Sequence, residues 1–211
     1  MGYLDFHNKL NSLEDKEYIE TFLVYNVSLI IAGVKPAVTI TLKKNKHKLY
    51  NSWKSFGHSF IKDINLNYIE LRNDSTALII MIYEESLLEK YLNYEQNQDF
   101  LINLGYSKNS SIDTYVNTLK SRYAQYHCPH ELGLFLGIPI KDVKDFMECE
   151  PKKCLLCGYW KVYNDSNRAK IIFNNYDKIK EYTIKTMLKG NSSHDLALSI
   201  KSSFNKKVQY I

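Results

Sequence analysis

The sequence has little of several things. Its 211 residues include four cysteines, four prolines, eight glycines and two tryptophans. Four cysteines are too few for a disulfide-stapled scaffold. Residues 1–10 carry charge and lack the apolar centre of an export signal, so the expected location is the reducing cytoplasm. Long hydrophobic runs are also missing. The longest uncharged run, residues 21–34, falls short of the roughly 20 apolar residues of a membrane span and contains Asn26 and Ser28, so no transmembrane helix is expected. Charge of one sign is not segregated either. The net charge is +5, but acids and bases alternate along most of the chain, which argues against a nucleic-acid or anionic-membrane partner. Seventeen tyrosines accompany many Lys, Asn and Ile residues, the signature of AT-rich codons, and do not by themselves indicate base stacking. What is present, 45% apolar residues without repeats or low-complexity tracts, suits one hydrophobic core. A single domain over residues 1–211 is expected, with the polar stretch 93–98 as the candidate internal junction.

Periodicity predicts alternating helices and strands. Ser12 followed by Glu14 and Asp15 reads as a helix start, and Leu13, Tyr18 and Phe22 share a side of a helix over 13–26. Gly33 and Pro36 then mark a turn into a β-branched strand over 38–42. The basic cluster 43–48 reads as a solvated connection, with a phosphate-binding patch as the alternative. Leu49, Trp53, Phe56, Phe60 and Ile64 follow at helical spacing. Residues 68–71 and 77–83 read as an antiparallel hairpin, and the second of these, apolar without alternation, should be covered on both faces. Helices are expected over 85–93 and 96–104, the latter closed by Gly105, and from Ser110 and Ser111 to about Tyr126. A strand over 158–163, a long helix over 167–188 and a last helix opened by His194 and Asp195 complete the chain. Residues 201–207 form a basic tail. The resulting fold class is α/β, with α+β as the alternative, built on a small mixed sheet of about four strands packed by helices.

The unusual residues gather in 127–163, which holds all four cysteines and three of the four prolines. Pro129 suits the first turn of a helix, placing His130 and Glu131 at its start. Gly133 and Gly137 allow close approach, either for helix packing or for a ligand. Cys154 and Cys157 have the CxxC spacing of zinc sites and dithiol centres. A zinc or iron site would need further ligands, for which His127, Cys128 and His130 are candidates. Structural free thiols are the competing explanation, and Cys149 reads as a helix-end thiol. Lys161 and Tyr163 share one face of the strand over 158–163, with Trp160 and Val162 on the other.

Two blocks carry a resemblance: His130-Glu131-Leu132-Gly133-Leu134-Phe135-Leu136-Gly137-Ile138-Pro139 with Cys157-Gly158-Tyr159-Trp160-Lys161-Val162-Tyr163, and upstream Ala32-Gly33-Val34-Lys35-Pro36-Ala37. In order and spacing the chain resembles the DUF3793 family, proteins mainly of anaerobic Firmicutes to which no catalytic residues are assigned. The resemblance implies a mild link to redox or iron and other metal homeostasis, with a flavodoxin-like protein as a partner. Relatives often have a His-Cys pair where this chain has Tyr25 and Asn26, and an aromatic residue where it has Cys128.

The functional expectation is a protein that binds a small ligand or cofactor, held by Lys35, His130, Glu131, Lys161 and Tyr163. An anion or carboxylate suits the lysines and the helix start. Metal or redox chemistry would fall to Cys154, Cys157 and Cys128. Two alternatives stand beside it. One is an enzyme, either a CxxC thiol redox protein or a metal-dependent hydrolase using His130 and Glu131. The other is an interaction adaptor without a pocket.

Overall fold

Residues 77–83 show no polar alternation because the molecule covers both sides of this strand. The computed structural model describes residues 3–148 and 152–204. In chain order these form α1 (Tyr3–Asn11), α2 (Asp15–Ile31), β1 (Ala37–Lys43), α3 (His47–Ser52), a π-helical turn (Trp53–Gly57), α4 (His58–Asp63), β2 (Asn67–Asn73) and β3 (Ala77–Tyr83). There follow α5 (Glu85–Leu92), α6 (Glu95–Asn103), α7 (Ile112–Tyr126), α8 (Leu132–Phe135), α9 (Ile140–Met147), β4 (Leu156–Cys157), β5 (Lys161–Val162), α10 (Ser166–Leu188) and α11 (Ser193–Phe204). The larger sheet has the order β1-β3-β2, with β3 antiparallel to both neighbours. Ile40 faces Ile80, and Ile69 faces Met81.

The period-two alternation of β3 divides the core between two helical layers. Leu78, Ile80 and Ile82 pack with Leu23 and Val27 of α2 and with Ile172 and Ile179 of α10. Met81 and Tyr83 turn the other way, into Leu88 of α5, Tyr115 and Leu119 of α7 and Phe135 of α8. The result is a mixed α/β fold in which a small antiparallel sheet lies between helices.

Three elements differ from the sequence-based expectation. The first helix is α2, which starts at Asp15 rather than after Ser12 and runs on to Ile31. Ser12 instead closes α1, an element the sequence reading does not anticipate, through a 2.7 Å bond from its hydroxyl to the Lys9 carbonyl. The polar residues that suggested an end near Asn26 are satisfied inside the helix: Asn26 Nδ2 donates to the Phe22 carbonyl and Ser28 Oγ to the Tyr25 carbonyl. The helix over 49–64 is interrupted at Trp53–Gly57. Trp53 is fully buried there, and a Cβ on Gly57 would lie 2.4 Å from its ring, so the wide turn fits around the indole.

The third difference is the expected fourth strand over 158–163. It does not join the sheet, which has three strands and is antiparallel rather than mixed. Instead β4 and β5 form a separate ribbon, turned at Gly158–Trp160 by a 3.1 Å bond from the Gly158 N–H to the Trp160 carbonyl. A Cβ on Gly158 would sit 2.2 Å from the Phe173 ring, so the ribbon lies directly on α10.

The stretch 93–98 forms the corner between α5 and α6. Buried Asn97 and Gln98 donate to the carbonyls of Tyr91 and Leu92, and Tyr115 donates to Gln98 Oε1 at 2.8 Å. Of the basic tail, residues 205–207 lie outside the described residues, as does Cys149.

Candidate functional site

A cavity of about 690 Å³ lies where the turn into β1, the α5–α6 corner and the starts of α9 and α10 meet. That volume is in the range of small-molecule sites, roughly 300–1,000 Å³. Its wall is made in part of aromatic surface from Tyr91, Tyr94, Trp160 and Tyr176. The entry turn is rigid: the Gly33 and Val34 N–H groups bond back to Ile30 and Leu29, and Glu84 N–H donates to the Pro36 carbonyl at 3.0 Å. Tyr176 donates to the Val34 carbonyl from α10, and Tyr91 to the Ile138 carbonyl from α5. Gly137 adopts φ +76°, and a Cβ there would fall 2.7 Å from Pro36 Cδ. This glycine therefore serves close packing of the loop before α9 against the Lys35–Pro36 turn.

Three helix N-termini open onto this space. Glu95 and Gln96 belong to the first turn of α6, Ile140 and Lys141 to that of α9, and Asp165 to the cap of α10. A first turn holds N–H groups without intrahelical acceptors and the positive end of the helix dipole. At α6 and α9 no side chain caps them, whereas at α10 the Asp165 carboxylate accepts from Arg168 N–H at 2.9 Å. The wall also carries Lys35, Lys90, Lys141 and Arg168 against Glu95, Asp142 and Asp165. Two of those three carboxylates already hold protein donors.

Lys35 is the cation set apart. The ammonium groups of Lys9, Lys48 and Lys180 each donate to main-chain carbonyls. Among the described residues Lys35 makes no hydrogen bond or ion pair, and burial pushes its pKa down to about 8. Burial likewise pushes Lys180 down to about 7, with the like charge of Lys35 adding to the effect. Lys180 is partly compensated, since it bonds the Tyr25 carbonyl and lies 4.2 Å from the centre of the Tyr25 ring. Two partly buried cations close enough to repel favour an anion nearby.

Asp142 organises the far wall. Its buried carboxylate accepts from Trp160 Nε1 at 2.8 Å, from the N–H groups of Tyr163 and Asn164 at 3.0 and 3.1 Å, and from Asn164 Nδ2 at 2.8 Å. It thereby ties α9 to the ribbon and to the start of α10. Sequence reasoning passed over it, because an acid on the polar side of a short amphipathic helix is ordinarily solvated. Arg168 and Lys180 were also missed. Both sit in a long helix whose apolar stripe was the visible signal.

Of the five residues expected from sequence to hold the ligand, Lys35 lines the cavity and four do not. His130 lies edge-on to Phe146, with ring centres 5.2 Å apart, and Lys161 Nζ is 5.7 Å from the centre of that same ring, so these two share an aromatic contact outside the cavity. Tyr163 contributes only a backbone N–H that bonds Asp142, without lining the cavity. Glu131 is buried and paired with Arg122, and it also accepts from the Tyr106 hydroxyl at 3.2 Å. Its carboxylate and the His130 ring thus go to different neighbours. Replacing Glu131 by glutamine should lower stability by about 1–3 kcal/mol, since it removes a charge-assisted bond to a half-buried guanidinium. Urea denaturation checks this, and an unchanged midpoint would contradict the pairing.

Cys154 and Cys157 lie with their Sγ atoms 3.4 Å apart, and Cys154 also donates to the Leu156 carbonyl. The hydrogen bond with Cys154 pushes the Cys157 thiol up, the opposite of an activated thiolate. Cys128 is exposed and lies 3.6 Å from the Tyr123 hydroxyl. Among the described residues no group of three or more His, Cys, Asp and Glu side chains is placed to hold a metal ion, so the CxxC pair offers two of the four ligands a structural zinc requires. No described helix is long and apolar enough to cross a membrane.

The family model described as "Protein of unknown function (DUF3793)" covers residues 23–197, most of the chain. No curated protein and no solved structure matches.

Proposed function

The chain belongs to the DUF3793 family, and we propose that it binds a small organic anion, a carboxylate or phosphate carried on an apolar or aromatic body. The observation that carries this reading is Lys35, a partly buried ammonium in the cavity wall with no acceptor among the described residues. An isolated charge out of water is unfavourable, and a bound anion relieves it. The first turns of α6 and α9 supply N–H groups for the anionic head, and Arg168 and Lys141 supply further charge. Tyr91, Tyr94 and Tyr176 suit the apolar body. The binding is expected to be non-membrane and independent of the cysteines.

A thermal-shift screen tests this, comparing carboxylates and phosphate monoesters with their neutral alcohol counterparts. Anions should raise the melting temperature and the alcohols should not, because a ligand that binds only the folded state stabilises it by mass action. Calorimetry on the best anion should then show affinity lowered about tenfold by Lys35→Met and by Arg168→Ala, or roughly 1.4 kcal/mol each. An anion response that survives both substitutions would place binding elsewhere and sink the proposal.

A further inference from the structure

The position of Lys35 supports more than electrostatic attraction. The partly buried ammonium groups of Lys9 and Lys180 find carbonyl acceptors, Lys9 those of Met187 and Leu188 and Lys180 that of Tyr25. Lys35 alone among these lines the cavity, and no acceptor meets it there. Its Cα is fixed between Gly33, at φ +73°, and Pro36, whose carbonyl is held by Glu84 N–H. A backbone held on both sides of the residue, an amine without an acceptor and the aromatic surface of Tyr91 and Tyr176 in the same cavity wall are conditions under which a lysine acts as a nucleophile rather than as a charge. The anion-favouring helix starts would hold a ligand's head at the same time.

We propose that Lys35 captures a small anion bearing an aldehyde or ketone as a reversible imine in this cavity. This deepens the binding function proposed above and rests on it. The neutral Nζ lone pair attacks the carbonyl carbon, forming a C–N bond while the carbonyl π electrons move to oxygen, which takes a proton. The resulting carbinolamine then loses water as the nitrogen gives up its remaining proton, leaving C=N. The balance is one amine and one carbonyl giving one imine and one water, with no oxidant or reductant. Burial places Lys35 near pKa 8, so about half of it is neutral at pH 8. An ordinary lysine near 10.4 is less than about 1% neutral at that pH.

The test uses the full-length protein with pyridoxal 5′-phosphate, which joins an aldehyde, a phosphate and a planar ring, followed by borohydride trapping at pH 8 and peptide mapping. Pyridoxine 5′-phosphate, the alcohol of the same shape, measures binding without imine formation. The expected result is one adduct per chain at Lys35, formed at least tenfold faster than at any surface lysine and suppressed by the alcohol. Lys35→Arg, which keeps the charge but offers no neutral amine, should lose the rapid adduct. If the alcohol binds in a manner that depends on Arg168 but label spreads evenly over surface lysines, the imine is refuted and anion binding stands. If neither the alcohol nor any of the screened anions binds and Lys35 is not preferred, both are refuted.

Discussion

Asp142→Ala is expected to lower stability by about 3–5 kcal/mol, because it removes a buried carboxylate that accepts four hydrogen bonds at once. The carboxylate receives the Trp160 indole, the main-chain N–H groups of Tyr163 and Asn164, and the Asn164 amide. For a chain of this length that loss corresponds to about 10 °C in melting temperature. Asp142→Asn retains one acceptor oxygen and should lose about half as much. Anion binding should weaken in both variants, since the start of α9 and the Asn164–Arg168 segment come unpinned together. Thermal and urea denaturation of the two variants measure the effect. A change below about 1 kcal/mol for the alanine variant would mean that this carboxylate does not hold the cavity wall.

Raising the pH from 7 to about 9.5 should stabilise the ligand-free protein. The folded pKa of Lys35 is pushed down to about 8 from an ordinary value of 10.5. Between those values the unfolded chain carries the proton and the folded chain does not, so stability rises with pH. Below pH 8 both states are protonated and the full penalty of burying the ammonium is present. The shift of about 2.5 units corresponds to about 3 kcal/mol relieved across that window. Lys180, pushed down to about 7, acts in the same direction, moderated by its carbonyl and ring contacts. Above about pH 10 the sign reverses. Tyr83 is pushed up to about 12 by burial, and Tyr91, Tyr106 and Tyr176 also move upward, chiefly for the same reason. Their neutral forms are favoured by folding, so the stability they contribute is lost as the unfolded tyrosines begin to ionise. A stability maximum near pH 9.5–10 follows. Lys35→Met should be about 3 kcal/mol more stable than the natural protein at pH 7 and should flatten the rise. A melting temperature that falls steadily from pH 7 upward, unchanged in slope by Lys35→Met, would contradict the burial of this charge.

Much of the fold was legible because it follows from local periodicity. The unbroken apolar character of 77–83 marked the central strand before its neighbours were known. Ser111 was readable as a cap, and its hydroxyl does accept from the Thr114 N–H. What could not be read depends on distant partners. The ribbon 156–162 has the β-favouring Trp-Lys-Val-Tyr run of a sheet strand, yet its place is set by Phe173 and Asp142, residues on two other elements. The same is true of the site. Lys35 stood out through the Gly33 and Pro36 beside it, which announce a rigid turn. Glu131 looked like a catalytic acid because nothing local reveals that Arg122, nine residues earlier, neutralises it. Tyr163 is drawn in by its main chain, which no side-chain pattern encodes.

The most direct test of anion binding is the titration of Lys35 itself, followed by NMR of 13Cε-labelled lysines in the free protein and with a phosphate monoester found by thermal shift. A midpoint near 8 that moves upward on adding the anion, with amide shifts at the first turns of α6 and α9, is the expected result. An ordinary midpoint near 10.5 that the anion leaves in place would contradict it.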